Sequence, residues 1–175
     1  MMELYSFMWA CAIFFMILGF MRGLTKELVG MAGIVLGIFA LFQFDALFRS
    51  TIFLLMEPAQ VFWLQALTFI VFVFIVYNAR EFGGNQRRQG FDFQESLLGG
   101  IVGFINGYLF GGTLWYFLDI NEYPIPEVLA PALESPSAQG LTAMPLVLIG
   151  GGASGTGDLL AVLVVLLLLL VLFIA

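Results

Sequence analysis

Residues 97–118 read LLGGIVGFINGYLFGGTLWYFL, and within them Gly99, Gly103, Gly107 and Gly111 recur at every fourth position. In a water-exposed helix each glycine costs about 1 kcal/mol against alanine, so four on one face would weaken it severely. In a bilayer the missing side chains let a neighbouring backbone come close, and small residues four apart become an association face. The spacing therefore predicts a membrane-spanning helix carrying a glycine-zipper stripe. It speaks to architecture and carries no reaction chemistry.

Composition extends that expectation to the whole chain. Of 175 residues, 62% are hydrophobic, only 10% are charged and 20 are phenylalanine; mean hydropathy is +1.06. Soluble domains run near about 45–50% apolar and about 25% charged. Lipid removes the need to hide so much apolar surface, and only helices or closed barrels satisfy the backbone within it. The predicted fold class is an all-α integral membrane protein of about five spans. Histidine is absent, which removes the usual general base, metal ligand and pH switch. Cys11 is the one cysteine, so no disulfide can form within the chain. A net charge of −6 argues against nucleic acid as a partner.

Five apolar segments approach the length that crosses roughly 30 Å of hydrocarbon. They run over about residues 4–21, 28–44, 61–77, 97–118 and 159–175. The first has Glu3 where a signal peptide carries basic residues, and no small-residue cleavage site follows Met21, so it is read as a retained helix. Arg22 and Lys26 fall between segments one and two, and Arg80, Arg87 and Arg88 between three and four. The positive-inside rule puts both loops in the cytoplasm, the N-terminus outside and the C-terminus inside. Only Arg49, near Asp45 and Glu57, falls on the outer side.

The chain divides into a four-helix unit over residues 1–119, an acidic Pro/Gly-rich extracytoplasmic loop and tether over 120–158, and a last helix over 159–175. Five prolines in the loop forbid a long helix, while 127–133 is a candidate interfacial stretch. GGGASGTG, residues 150–157, reads as a flexible tether. The last segment has no glycine and no polar residue. It is expected to face lipid loosely, so that a chain ending near Pro145 keeps the first four helices together.

Candidate functional residues fall into two groups. Gly30, Gly33 and Gly37 form a small stripe on segment two that is the natural receptor for the glycine ladder, with Asn106 beside that ladder as packing glue or as a substrate or ion contact. Packing and the lining of a pore both remain open for these faces. In the second group, Arg22, Gly23, Lys26 and Glu27, with Arg80, Arg87 and Arg88, form a cytoplasmic anchor or docking site. Thr25 is the expected N-cap of the second helix, with Glu27 in its first turn favoured by the helix dipole. Glu57-Pro58 is the expected start of the third. The polar residues placed within spans are Ser6, Cys11, Gln43, Gln65, Thr68, Asn106 and Thr113, none of them charged. A pump or proton channel ordinarily needs ionisable groups at that depth. No catalytic residue, cofactor site or metal site is expected.

The order of motifs resembles the colicin V production protein (CvpA) family. An R-G-x-x-[RK]-E turn follows the first helix (Arg22, Gly23, Lys26, Glu27), and a second helix is rich in small residues. A later helix opens L-G-x-x-x-G-x-x-x-G (Leu98, Gly99, Gly103, Gly107) and ends Trp115-Tyr116-Phe117-Leu118-Asp119. The resemblance covers about residues 4–119. The chain departs from it with Ser96-Leu97 in place of Asp-Arg, Asn106 in place of a basic residue and a fifth span. The resemblance implies a small bacterial inner-membrane protein linked to colicin V production or export and to envelope upkeep. The expected action is non-enzymatic helix packing within the lipid bilayer, with a second copy or other membrane proteins. A passive pore component and an accessory subunit of a bioenergetic complex are the alternatives.

Overall fold

The computed structural model describes residues 4–79, 92–126, 128, 130–132, 134–152 and 155–174. Arg80, Arg87 and Arg88 lie outside the described residues. Among the described residues the regular structure is all helix, with no strand: α1 Leu4–Arg22, α2 Leu24–Ser50, α3 Pro58–Ala79, α4 Phe93–Ile120, α5 Pro136–Gly140, α6 Pro145–Gly150 and α7 Asp158–Ile174, with 3-10 turns at Phe53–Leu55 and Leu141–Ala143. The first four are long and apolar enough to cross a membrane, whereas α7 has 17 residues and falls short of that length.

Helix ends follow local chemistry. Pro58 opens α3 as expected, its missing N–H being one the first turn leaves unpaired anyway. The Asp92 side chain caps α4 by accepting from the Gln94 amide at 2.9 Å. The cap of α2 differs from the sequence expectation, because the helix starts at Leu24 and its N-cap is Gly23, not Thr25. Gly23 has φ 84°, a left-handed conformation open to glycine, which turns the chain from α1 into α2 in a single residue. Segment two also runs from four residues earlier to six later than its apolar core suggests, because Glu27, Asp45 and Arg49 find partners on other helices.

α1 lies along α4, and α2 is the hub that touches α3, α4 and α7. Aromatic rings fill the centre: Phe110 of α4 stacks on Phe15 of α1 at 5.3 Å and on Phe69 of α3 at 5.7 Å between centroids. Each such pair adds about 0.5–1.5 kcal/mol beyond area burial.

The segment after α4 corrects two expectations. The described residues among 127–133 form no helix, and Glu127, Leu129 and Leu133 lie outside the described set. Helix instead forms in α5 and α6, each with proline in its first turn, and α6 folds back so that Pro145, Leu146 and Gly150 are buried. The Gly150–Gly157 stretch is not a loose tether at its described residues. Gly151 closes α6 in the left-handed conformation, and the Gly157 amide donates back to the Gly150 carbonyl at 3.3 Å. Nor is α7 without a packing side: Leu160 and Val164 are buried against the rest of the molecule. An all-apolar helix has no periodicity to reveal which side packs.

Candidate functional site

The glycine ladder meets α1. A Cβ built at Gly99 would lie 2.5 Å from the Gly19 carbonyl oxygen, at Gly103 3.0 Å from the Gly19 Cα, and at Gly107 2.7 Å from the Ala12 Cα. At Gly111 it would lie 3.0 Å from the Cys11 Cβ. The expected pairing of the ladder with the small stripe of the second helix is therefore overturned. Gly30, Gly33 and Gly37 receive side chains of α3 instead: the Tyr77 ring, Val76 and Phe72, respectively. The reason is geometric. The ladder is matched to a backbone, which Ala12 and Gly19 expose, whereas the stripe on α2 makes sockets for branched and aromatic knobs. The signal that could have identified α1 was its own small pair seven residues apart.

Where α1, α2, α3 and α4 converge, the two groups of candidate residues become one polar centre. Glu27, fully buried, takes the Arg22 Nη1 on Oε1 at 3.0 Å. Its Oε2 accepts from the Tyr77 hydroxyl at 2.9 Å and from Asn106 Nδ2 at 2.9 Å. Arg22 further donates from Nη2 to the Tyr77 carbonyl at 2.7 Å and lies 4.3 Å over that ring. Asn106 Nδ2 also lies 3.1 Å from the Glu27 carbonyl oxygen, while its own Oδ1, fully buried, has no partner among the described residues. The charge expected at the cytoplasmic surface is thus turned inward and enclosed, correcting the expectation that no ionisable group lies within the bundle. A buried carboxylate is tolerable here because a cation and two neutral donors surround it. Lys26 of the same turn makes no ion pair with a described residue.

A second polar group sits at the opposite ends of these helices. Asp45 Oδ2 pairs with Arg49 Nε at 2.8 Å, and its Oδ1 accepts from Gln65 Nε2 at 2.7 Å. Gln65 Oε1 accepts from Asn121 Nδ2 at 2.8 Å, and Asn121 Oδ1 from Arg49 Nη2 at 3.3 Å. The four side chains close a ring that ties α2 to α3 and to the end of α4. Next to it the Tyr123 hydroxyl donates to Asp119 at 2.8 Å. Burial, followed by that hydrogen bond and the carboxylate charge, pushes the Tyr123 phenol up and keeps it a donor. Glu27 and Asp45 stand 18 residues apart on α2, about 27 Å along a helix of 1.5 Å rise, close to the thickness of a hydrocarbon core.

Among the described residues no group of three or more metal-ligating side chains is found. The family described as colicin V production protein matches residues 7–144, so the chain belongs to that family. The match runs past Asp119 and takes in the segment that folds back on α4. No curated protein and no solved structure matches the chain.

Proposed function

We propose that this member of the colicin V production family serves toxin production and envelope upkeep from the bacterial cytoplasmic membrane. It acts as a non-enzymatic helix-packing protein in which the glycine zipper and the polar centre hold the bundle rigid. The observation that carries this is the convergence on Glu27 of groups from all four long helices. The Glu27 carboxylate there is spent on Arg22, the Tyr77 hydroxyl and Asn106 Nδ2. Both small faces are filled within the chain, so a second copy or a partner meets the outward apolar surfaces instead, such as that of α3 around Leu67, Val71 and Phe74. The same filling speaks against a pore lined by the glycine face. Arg22 and Lys26 lie on the cytoplasmic side.

The deciding experiment is release of active colicin V from producing cells with the chain deleted and then restored. Deletion is expected to reduce release and restoration to recover it; unchanged release defeats the proposal. A tagged chain in mild detergent should carry a second copy or a partner in fixed stoichiometry. Ion conductance by the purified protein would favour the pore alternative. Glu134→Cys, on an exposed site, should react with an impermeant thiol reagent added outside, and protection there would invert the topology.

A further inference from the structure

We propose that a cavity at the outer ends of α2 and α4 binds the headgroup of an aminophospholipid, with its ammonium on Asp119 and its phosphate on Arg49. The cavity measures about 800 Å³ and is walled by α2, α4, Leu146 of α6 and the Gly155–Thr156 segment. That volume falls among ligand sites that hold a small polar group with an apolar extension.

Its polar lining offers both signs. Arg49 spends Nε on Asp45 and Nη2 on Asn121, leaving Nη1 without a bond to a described residue. Asp119 takes the Tyr123 hydroxyl on Oδ1, and its Oδ2 has no donor among the described residues. Asp45 is occupied on both oxygens, by Arg49 and Gln65. One donor and one acceptor of opposite charge are therefore available in a single chamber. With two carboxylates against one guanidinium, the lining carries a formal charge of −1, which disfavours a bare anion and calls for a ligand that brings an ammonium. Hydrogen-bond donors on that nitrogen suit a carboxylate, so a primary amine is preferred to a quaternary one. Phe42, Phe117 and Ile120 supply apolar wall for the start of the acyl chains.

Position selects a lipid over a soluble zwitterion. Asp119 and Arg49 lie in the last turn of α4 and α2, helices long enough to cross a membrane, and Thr156 lies just before the first residue of α7. Three apolar helices thus end at the level of the cavity, where headgroups reside.

The test uses the full chain purified in mild detergent, exposed to phosphatidylethanolamine, phosphatidylcholine or phosphatidylglycerol, with bound lipid counted by native mass spectrometry. Phosphatidylethanolamine should be retained about tenfold better than either other lipid. Asp119→Asn keeps an acceptor for Tyr123 and should abolish that preference. Ala46→Leu adds bulk to the wall without touching a charge, and should reduce retention with helicity unchanged. Equal retention of the three lipids, or unaltered preference in Asp119→Asn, overturns the proposal. Binding of glycerophosphoethanolamine as tight as that of the lipid would also overturn it, in favour of a soluble phosphoester. This is a binding readout and stands whether or not toxin release depends on the chain.

Discussion

Glu27 and Asp45 occupy the same helix, and each accepts from an arginine, but their surroundings make the pairs unequal. The Glu27 side chain is 0% exposed, with 18% for Arg22; the corresponding figures for Asp45 and Arg49 are 27% and 37%. Removing the cation from an enclosed carboxylate leaves a buried charge held only by neutral donors, which costs about 3–5 kcal/mol when burial is complete. For the outer pair, solvent screens what is lost, and a partly exposed i,i+4 pair contributes about 0.3–0.5 kcal/mol. Arg22→Gln is accordingly expected to lower stability by about 2–3 kcal/mol, discounted for the exposure of Arg22. Arg49→Gln should cost about 1 kcal/mol, most of it from the hydrogen bond to Asn121. Thermal unfolding in detergent ranks the two, and an equal or reversed order would remove the distinction between an enclosed and a screened pair. These partners were only half legible beforehand. The turn motif drew attention to Arg22 and Glu27, and the ladder to Asn106, but that they touch depends on helix rotation, which an apolar sequence does not encode.

At the level of helices, the two glycine faces accept different neighbours, and this gives them different tolerances. On α4 a Cβ at Gly103 would run into the backbone of α1, with the Gly19 Cα at 3.0 Å. On α2 a Cβ at Gly37 would run into the far part of a side chain, with the Phe72 Cδ1 at 2.7 Å. Overpacking costs about 1–3 kcal/mol at either place. Only the second clash can be relieved by shortening the neighbour. Gly37→Ala should destabilise the native chain, and should cost little more when it is added to a chain that already carries Phe72→Ala. Gly103→Ala should resist rescue by any truncation on α1, while Ile101→Leu, on an exposed position, should be nearly silent. Double-variant melting curves measure this coupling directly. Rescue of Gly103→Ala by Phe15→Ala would show that the α1–α4 contact is not backbone to backbone. The sequence announced that a close approach exists at 99–111. It did not announce with which helix, because α1, α2 and α4 all carry small residues at helical spacing.

Across the whole molecule, hydrophobicity located every long helix, with the ends of α2 off by four and six residues, yet it misjudged the part beyond Asp119. Proline and glycine content suggested an open loop. The structure uses the same residues to start short helices and to close turns, so that Met144 and Leu146 enter the core. Polypeptide of that composition gives no periodic signal, and its placement follows from cavities on α2 and α4 that only the assembled bundle creates. This layering predicts how the chain comes apart. α7 packs on α2 and α6, whereas α1 and α4 form their own contact. The contact has a built-in reporter, since a Cβ at Gly111 would lie 3.0 Å from the Cys11 Cβ, about 0.5 Å closer than a disulfide takes, so that a slight parting of α1 and α4 admits the bond. Gly111→Cys, with native Cys11 as the one other cysteine of the chain, should oxidise within the monomer in the full chain, which a monomer band without reductant distinguishes from a bond between copies. In a chain ending at Gly157 the disulfide should form to the same extent, even though the unfolding temperature falls with the loss of Leu160 and Val164 from the core. In a chain ending near Pro145 the melt should fall further, because Leu146 goes as well, and the disulfide should still form. Failure to crosslink in either shortened chain, with helicity retained, would mean that the last helices hold α1 against α4 and that the glycine ladder does not close unaided.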